Sequence, residues 1–289
     1  MMAAGDLITT DGQIEWRGTL LGVDTAFGLV QLEGWQDLPD MRDGDAELAN
    51  QHGYQPGQLL SDRRIITLSF ELGERSEADF RAAELELRRI TAPDENPAEE
   101  PLVVQWQGIK AMVLARCTGR LIPTPVEYHY GLTRGAIQWR ATNPRLLHLP
   151  QQSPSTTPPV AGGGGLLWPL TWPLVWGSAQ SGGELVVTND GNAHAQPTWR
   201  ITGPCTRPVI RNADTGAELV FDDSYTLLDG QQLLLSTEDR SVLLSSGVSR
   251  SNMLIRRHWF TLPPGPTRVR FETSDGGGQL ECLYHHTSF

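Results

Sequence analysis

From residue 183 onward the chain is cut into short apolar runs by turn-forming pairs, and this leaves room for little except antiparallel β-structure. The runs are Leu185–Thr188, Thr198–Thr202, Val209–Asn212, Leu219–Phe221, Gln232–Ser236, Val242–Ser245, Thr267–Thr273 and Gln279–Tyr284. Between them fall Asp190-Gly191, Thr215-Gly216, Asp229-Gly230, Pro264-Gly265 and Asp275-Gly276. Glycine adopts positive φ without steric cost, and aspartate bonds its own following backbone, so each pair reverses the chain. Strands about 8–12 residues apart, with no helical period among them, predict a β-sandwich of jelly-roll or galectin-like type for residues 183–289.

The first half mixes signals. Ile66, Leu68, Phe70 and Leu72 alternate with Thr67, Ser69 and Glu71, the pattern of a half-buried strand. Phe80, Ala83, Leu87 and Ile90 fall on one helical stripe, with Ser76 placed to cap the first turn. Glu77 and Asp79 sit at the positive end of the helix dipole, Arg88 and Arg89 at the negative end, and Pro93 stops the run. Strands resume at Leu102–Gln107, Ala111–Thr118 and Ala136–Ala141. The expectation is a mainly β protein whose N-terminal domain, residues 1–147, is a β-sandwich with one helix at about 77–91.

The stretch between the domains has its own chemistry. Pro144 through Gly165 is Pro-rich, then Gly-rich and almost uncharged, which reads as an exposed tether. Leu166–Gly177 follows as LLWPLTWPLVWG. Its tryptophans recur at helical spacing, but Pro169 and Pro173 delete backbone donors and clash with the preceding turn, so the segment must run extended. Trp168, Trp172 and Trp176 then project from one side, together with Leu170 and Leu174. Residues 148–182 are thus expected to form a linker and a Trp-Pro strap. The three indoles are the interface candidates, packed inside one subunit or docked between domains or subunits.

The motif order after the strap resembles the distal tail proteins of long-tailed bacteriophages, a group that includes minor tail and phage-tail-family proteins. The matching elements begin with a Gly191-Asn192 turn and Pro197 entering a strand that ends at Gly203-Pro204. Next come the Thr215-Gly216 turn and the Gly230 turn before an apolar strand with the charged step Glu238–Arg240. Trp259-Phe260 ahead of Leu262-Pro263-Pro264-Gly265 closes the pattern. The resemblance implies a structural virion protein at the tail tip, a baseplate component rather than an enzyme. It implies a homo-hexameric ring of N-terminal domains, with partners in the major tail (tube) protein, the tail-tip hub and the tail fibre or receptor-binding proteins.

Composition narrows the alternatives. A net charge of −11 makes nucleic-acid binding improbable, and the basic residues come as scattered pairs rather than a patch. No run approaches the roughly 18 apolar residues of a membrane span, and Met1–Gly12 lacks a signal-peptide pattern, which predicts assembly in a host cytoplasm. Cys117, Cys205 and Cys282 are scattered and odd in number, arguing for inert buried thiols rather than disulfides or a zinc site. Asp40, Asp43, Asp45 and Glu47 bunch together but do not match a calcium loop, so a solvated acidic loop is expected.

No catalytic constellation is visible. Asp222-Asp223, read as strand neighbours, would point to opposite faces. His285-His286 reads as a solvent-facing pair at the tail. There is no nucleophile elbow and no phosphate loop, and neither a cofactor nor a metal is expected. The rival reading is a carbohydrate-binding adhesion protein of the tail, since indole faces stack on sugar rings.

Overall fold

The computed structural model describes residues 3–74, 76–95, 98–159 and 183–289, which divide into two compact units. The first comprises Met1–Leu149 with Ser288–Phe289, and the second Pro150–Thr287. The ladders that build the sheets of each unit run antiparallel.

In the first unit the strands run in the order Thr19–Gly22, Gln13–Trp16, Glu100–Trp106, Ile109–Leu121, Leu132–Ala141, Arg64–Gly73 and Phe27–Glu33. The first and last members of this path are consecutive in the chain and separated only by residues 23–26, so the sheet curls back on itself. The strand Ile109–Leu121 serves both halves, pairing with Glu100–Trp106 up to Ala115 and with Leu132–Ala141 from Arg116, and it carries a bulge between Cys117 and Gly119. Alternation is strict on the Arg64–Gly73 strand: Ile66, Leu68, Phe70 and Leu72 are wholly buried.

The helix spans Glu77–Ile90 and closes this core with Phe80, Leu87 and Ile90. The Ser76 hydroxyl accepts from the Asp79 amide at 3.1 Å, satisfying one of the four free donors of the first turn. At the other end the Trp16 indole donates to the Ile90 carbonyl at 2.9 Å, and its ring meets Trp139 edge-on at 5.9 Å. Trp16 therefore ties the helix terminus to the sheet, backed by Trp139.

The second unit is a sandwich of two five-stranded sheets. One runs Ser155–Thr156, Gln279–Leu283, Thr198–Thr202, Gln232–Ser236 and Ser241–Leu244. The other runs Glu184–Asn189, Gly265–Glu272, Val209–Asn212, Glu218–Phe221 and Leu254–Arg257. Their inner faces share one core centred on Trp199, Ile210, Leu219, Phe221, Leu235 and Phe271.

Two expectations are corrected here. Part of the expected tether, Ser155–Thr156, is an edge strand paired with Glu281 and Leu280, and Gln152 bridges to Tyr284. A Pro-rich stretch can join a sheet at its edge because its missing amides face away from the ladder. Asp222 and Asp223 lie in a turn after Phe221 rather than on a strand. Asp222 accepts from the Ser224 amide and hydroxyl, while Asp223 pairs with Arg207.

Candidate functional site

The interface candidates Trp168, Trp172 and Trp176 lie outside the described residues. The acidic cluster does not. Asp40, Asp43, Asp45 and Glu47 sit on an arm that leaves the first unit between Glu33 and Arg64, and every residue from 40 to 60 is exposed. The arm is a ribbon of two short ladders, Met41–Arg42 with Leu60–Ser61 and Ala46–Glu47 with Tyr54–Gln55. A two-stranded ribbon alone is marginal in water. This one also exposes Leu38 at 67%, Tyr54 at 63% and Leu59 at 60%.

The root of the arm is held by one buried side chain. Arg64, 1% exposed, donates from Nη1 to the carbonyls of Gly34 (2.7 Å), Trp35 (3.0 Å) and Asp37 (2.8 Å). Its Nε donates to the Pro144 carbonyl at 2.8 Å. Burial pulls the guanidinium down to about 10 against the opposing pull of Asp37, so it remains charged near neutral pH. Gly34 has φ +77°, and a Cβ there would lie 1.8 Å from the Ile65 carbonyl oxygen, so no other residue fits this crossing. Arg64 was hidden in the sequence. An arginine beside Arg63 reads as surface, and carbonyl partners leave no motif.

A groove of about 470 Å³ lies between the helix and the Val126–Tyr130 turn, lined by Phe80, Glu84, Tyr128 and Tyr130 among others. Burial alone would raise the Glu84 carboxyl, but hydrogen bonds from Tyr128 and Arg88 outweigh it and hold it below the usual carboxylate range. A carboxylate this firmly ionised and paired is not a poised proton donor. Among the described residues no group of three His, Cys, Asp or Glu side chains could hold a metal ion. The thiols of Cys205 and Cys282 are buried and Cys117 is half-buried; burial raises all three, Cys205 to about 11.

In the second unit the structure joins motifs that are distant in sequence. The Asn189 amide, wholly buried, donates to the carbonyls of Ala193 (2.7 Å) and Leu262 (3.1 Å). Its carbonyl accepts from the amides of Gly191 (3.2 Å) and Thr287 (3.1 Å). The Gly191 turn, the Leu262-Pro263-Pro264 segment and the last strand thus meet on one side chain. Gly191 must be glycine, since a Cβ would fall 1.9 Å from the Thr287 carbonyl oxygen. The reading of His285-His286 as solvent-facing is corrected: both are half-buried. His286 Nδ1 accepts from the Asp190 amide at 3.0 Å, and its ring packs edge-on to Tyr284.

Residues 190–285 match the family described as Siphovirus-type tail component, C-terminal domain. No curated protein matches the chain in sequence. Among solved structures, the chain is similar to the Dit protein (gp 19.1) of phage SPP1, described as a paradigm of the hub adsorption apparatus in phages infecting Gram-positive hosts. The likeness covers 94% of this chain and 98% of that one, with TM-score 0.65 and 13% identity. A chain of the phage P2 baseplate, in its activated conformation with Ca, is similar over 94% of this chain and 97% of that one, with TM-score 0.50 and 10% identity. The resemblance read from the motifs is thereby supported at both levels: residues 190–285 carry the siphovirus-type tail component pattern, and the chain as a whole has the fold of the SPP1 Dit protein.

Proposed function

We propose that this protein is a structural component of a phage tail tip, assembled in the host cytoplasm and carried in the virion. Its first unit forms a hexameric ring, and its second unit carries fibres or receptor-binding proteins. One face of the ring meets the major tail protein and the other the tail-tip hub. The observation that carries this reading is the tail-component match over residues 190–285 in a chain that follows the SPP1 Dit fold over 94% of its length. The exposed apolar arm supports assembly as well. At −11 per copy, like subunits repel, so association rests on local contacts such as the arm and the open sheet edges rather than on bulk charge.

The protein acts without catalysis in this reading. The rival, sugar binding, needs an exposed aromatic platform. Among the described residues of the second unit, Trp199, Phe221, Tyr225, Phe260, Phe271 and Tyr284 are buried and Trp259 is half-buried against the core. Mass photometry and electron microscopy of the full chain test the proposal, with a six-fold ring expected. Symmetric dimers, or saturable glycan binding lost on Trp259→Ala, would favour another function.

A further inference from the structure

The face of the first unit's sheet that points away from its core holds two arginines that form no ion pair among the described residues. Arg116 and Arg140 are directly opposed on neighbouring strands, so both side chains stand on the face opposite Ala115, Trp139 and Ala141. Like charges opposed across a ladder destabilise it. The Nε of Arg140 is also buried without a hydrogen-bond partner. Glu99 accepts from the Thr142 amide and hydroxyl, and no ion pair joins it to either arginine among the described residues. Leu114 and Ile65 flank the pair on the same face, 43% and 38% exposed. The pair thus lies between the apolar Leu114 and Ile65 on one side and the polar Gln138 and Thr118 on the other.

The arm has the opposite character. Residues 38–60 hold four carboxylates against the single arginine Arg42, set among exposed apolar side chains. Asp45 is engaged by the Gly57 amide, while Asp40, Asp43 and Glu47 project from the ribbon. With about 11 residues per leg at 3.3 Å each, the ribbon spans up to roughly 35 Å, comparable to the diameter of a domain of this length.

We infer that the Arg116–Arg140 face receives the acidic arm of a second copy of this chain, the carboxylates of Asp43 and Glu47 pairing with the two guanidinium groups. The inference rests on the ring reading above and names the contact that would close it. It also accounts for two isolated oddities together: an arginine pair that repels itself, and a ribbon too thin to stand alone.

A charge swap on the full-length chain tests it, read by mass photometry across a concentration series. One variant carries Arg116→Glu with Arg140→Glu, the other Asp43→Arg with Glu47→Arg. Each alone should assemble roughly 30-fold or more weakly than wild type. An equimolar mixture should recover assembly, because each arm then finds a face of opposite charge in an alternating ring. Arg116→Gln with Arg140→Gln, and unchanged melting of every variant, separate lost docking from lost folding. A wild type that stays monomeric would remove the ring reading and this inference together. Wild-type rings with both variants still assembling, or a mixture that stays dissociated, would overturn the arm contact and leave the ring intact.

Discussion

The guanidinium of Arg64 reaches the Asp37 carbonyl at 2.8 Å, from a strand to the base of the arm that precedes it. The same Nη1 also serves Gly34 and Trp35, and Nε serves Pro144, so a single side chain fixes the exit angle of the ribbon. Arg64→Lys keeps the charge but replaces the planar fork with a point donor, which cannot satisfy four carbonyls. We expect a loss of about 2–4 kcal/mol in denaturant unfolding. Hydrogen exchange over residues 34–62 should rise further than in the sheet. Equal protection in mutant and wild type would show that the arm's base is held by other contacts.

A second prediction concerns the helix terminus. The Ile90 carbonyl is one of those a helix leaves without an internal partner; the Trp16 indole supplies the shorter donor and Arg17 Nη1 a longer one at 3.4 Å. Trp16→Phe retains an aromatic ring beside Trp139 but deletes the indole donor. The expected loss is about 1–3 kcal/mol, with exchange accelerated first at residues 88–91. Uniform acceleration along the helix would instead point to a packing defect.

The helix was legible because three independent signals coincide at Ser76–Ile90: a cap, an apolar stripe and charges matched to the dipole. The strands of the second unit were legible because each stands between turn residues that physically require a reversal. What stayed hidden depends on long-range partners. Leu254–Arg257 becomes a strand only by pairing with Leu219–Phe221, and its exposed Ile255, Arg256 and Arg257 give no alternation. The acidic stretch 40–47 reads as a loop, because two-residue ladders are too short to show a period. Arg64 and Asn189 organise the base of the arm and the Gly191 turn through backbone groups up to 98 residues away, which no spacing rule detects.

The buried thiols give a pH prediction. Burial raises Cys205 from 9.0 to about 11 and raises Cys282 further, so the folded chain keeps both protonated while the unfolded chain ionises. The sign follows from proton binding: the folded state binds more protons above pH 9, so stability is full below that value and falls as pH rises toward 11. Denaturant unfolding from pH 8 to 10.5 should show this decline, and Cys205→Ser with Cys282→Ala should make it shallower, with the raised Cys117 thiol still contributing. At pH 8 a thiol reagent should modify Cys117 ahead of the other two. Rapid native labelling of Cys282 would contradict its burial.

The final prediction concerns Asn189, where the Gly191 turn, the Leu262 segment and the last strand converge. Asn189→Ala removes two donors and two accepted bonds from a wholly buried position, leaving the Ala193 and Leu262 carbonyls and the Thr287 amide without this partner. Unsatisfied buried groups cost about 1–3 kcal/mol each, partly relieved by water entering the space left behind. We expect a loss of about 3 kcal/mol, with exchange rising at residues 189–195 and 260–264. Asn189→Asp is the informative companion, since it preserves shape and both acceptor contacts but withdraws the donors to Ala193 and Leu262. It should loosen the 260–264 segment while sparing the Thr287 amide. If Asn189→Asp instead behaves as wild type at both sites, the carbonyl contacts contribute nothing and the turn is held by Gly191 packing alone.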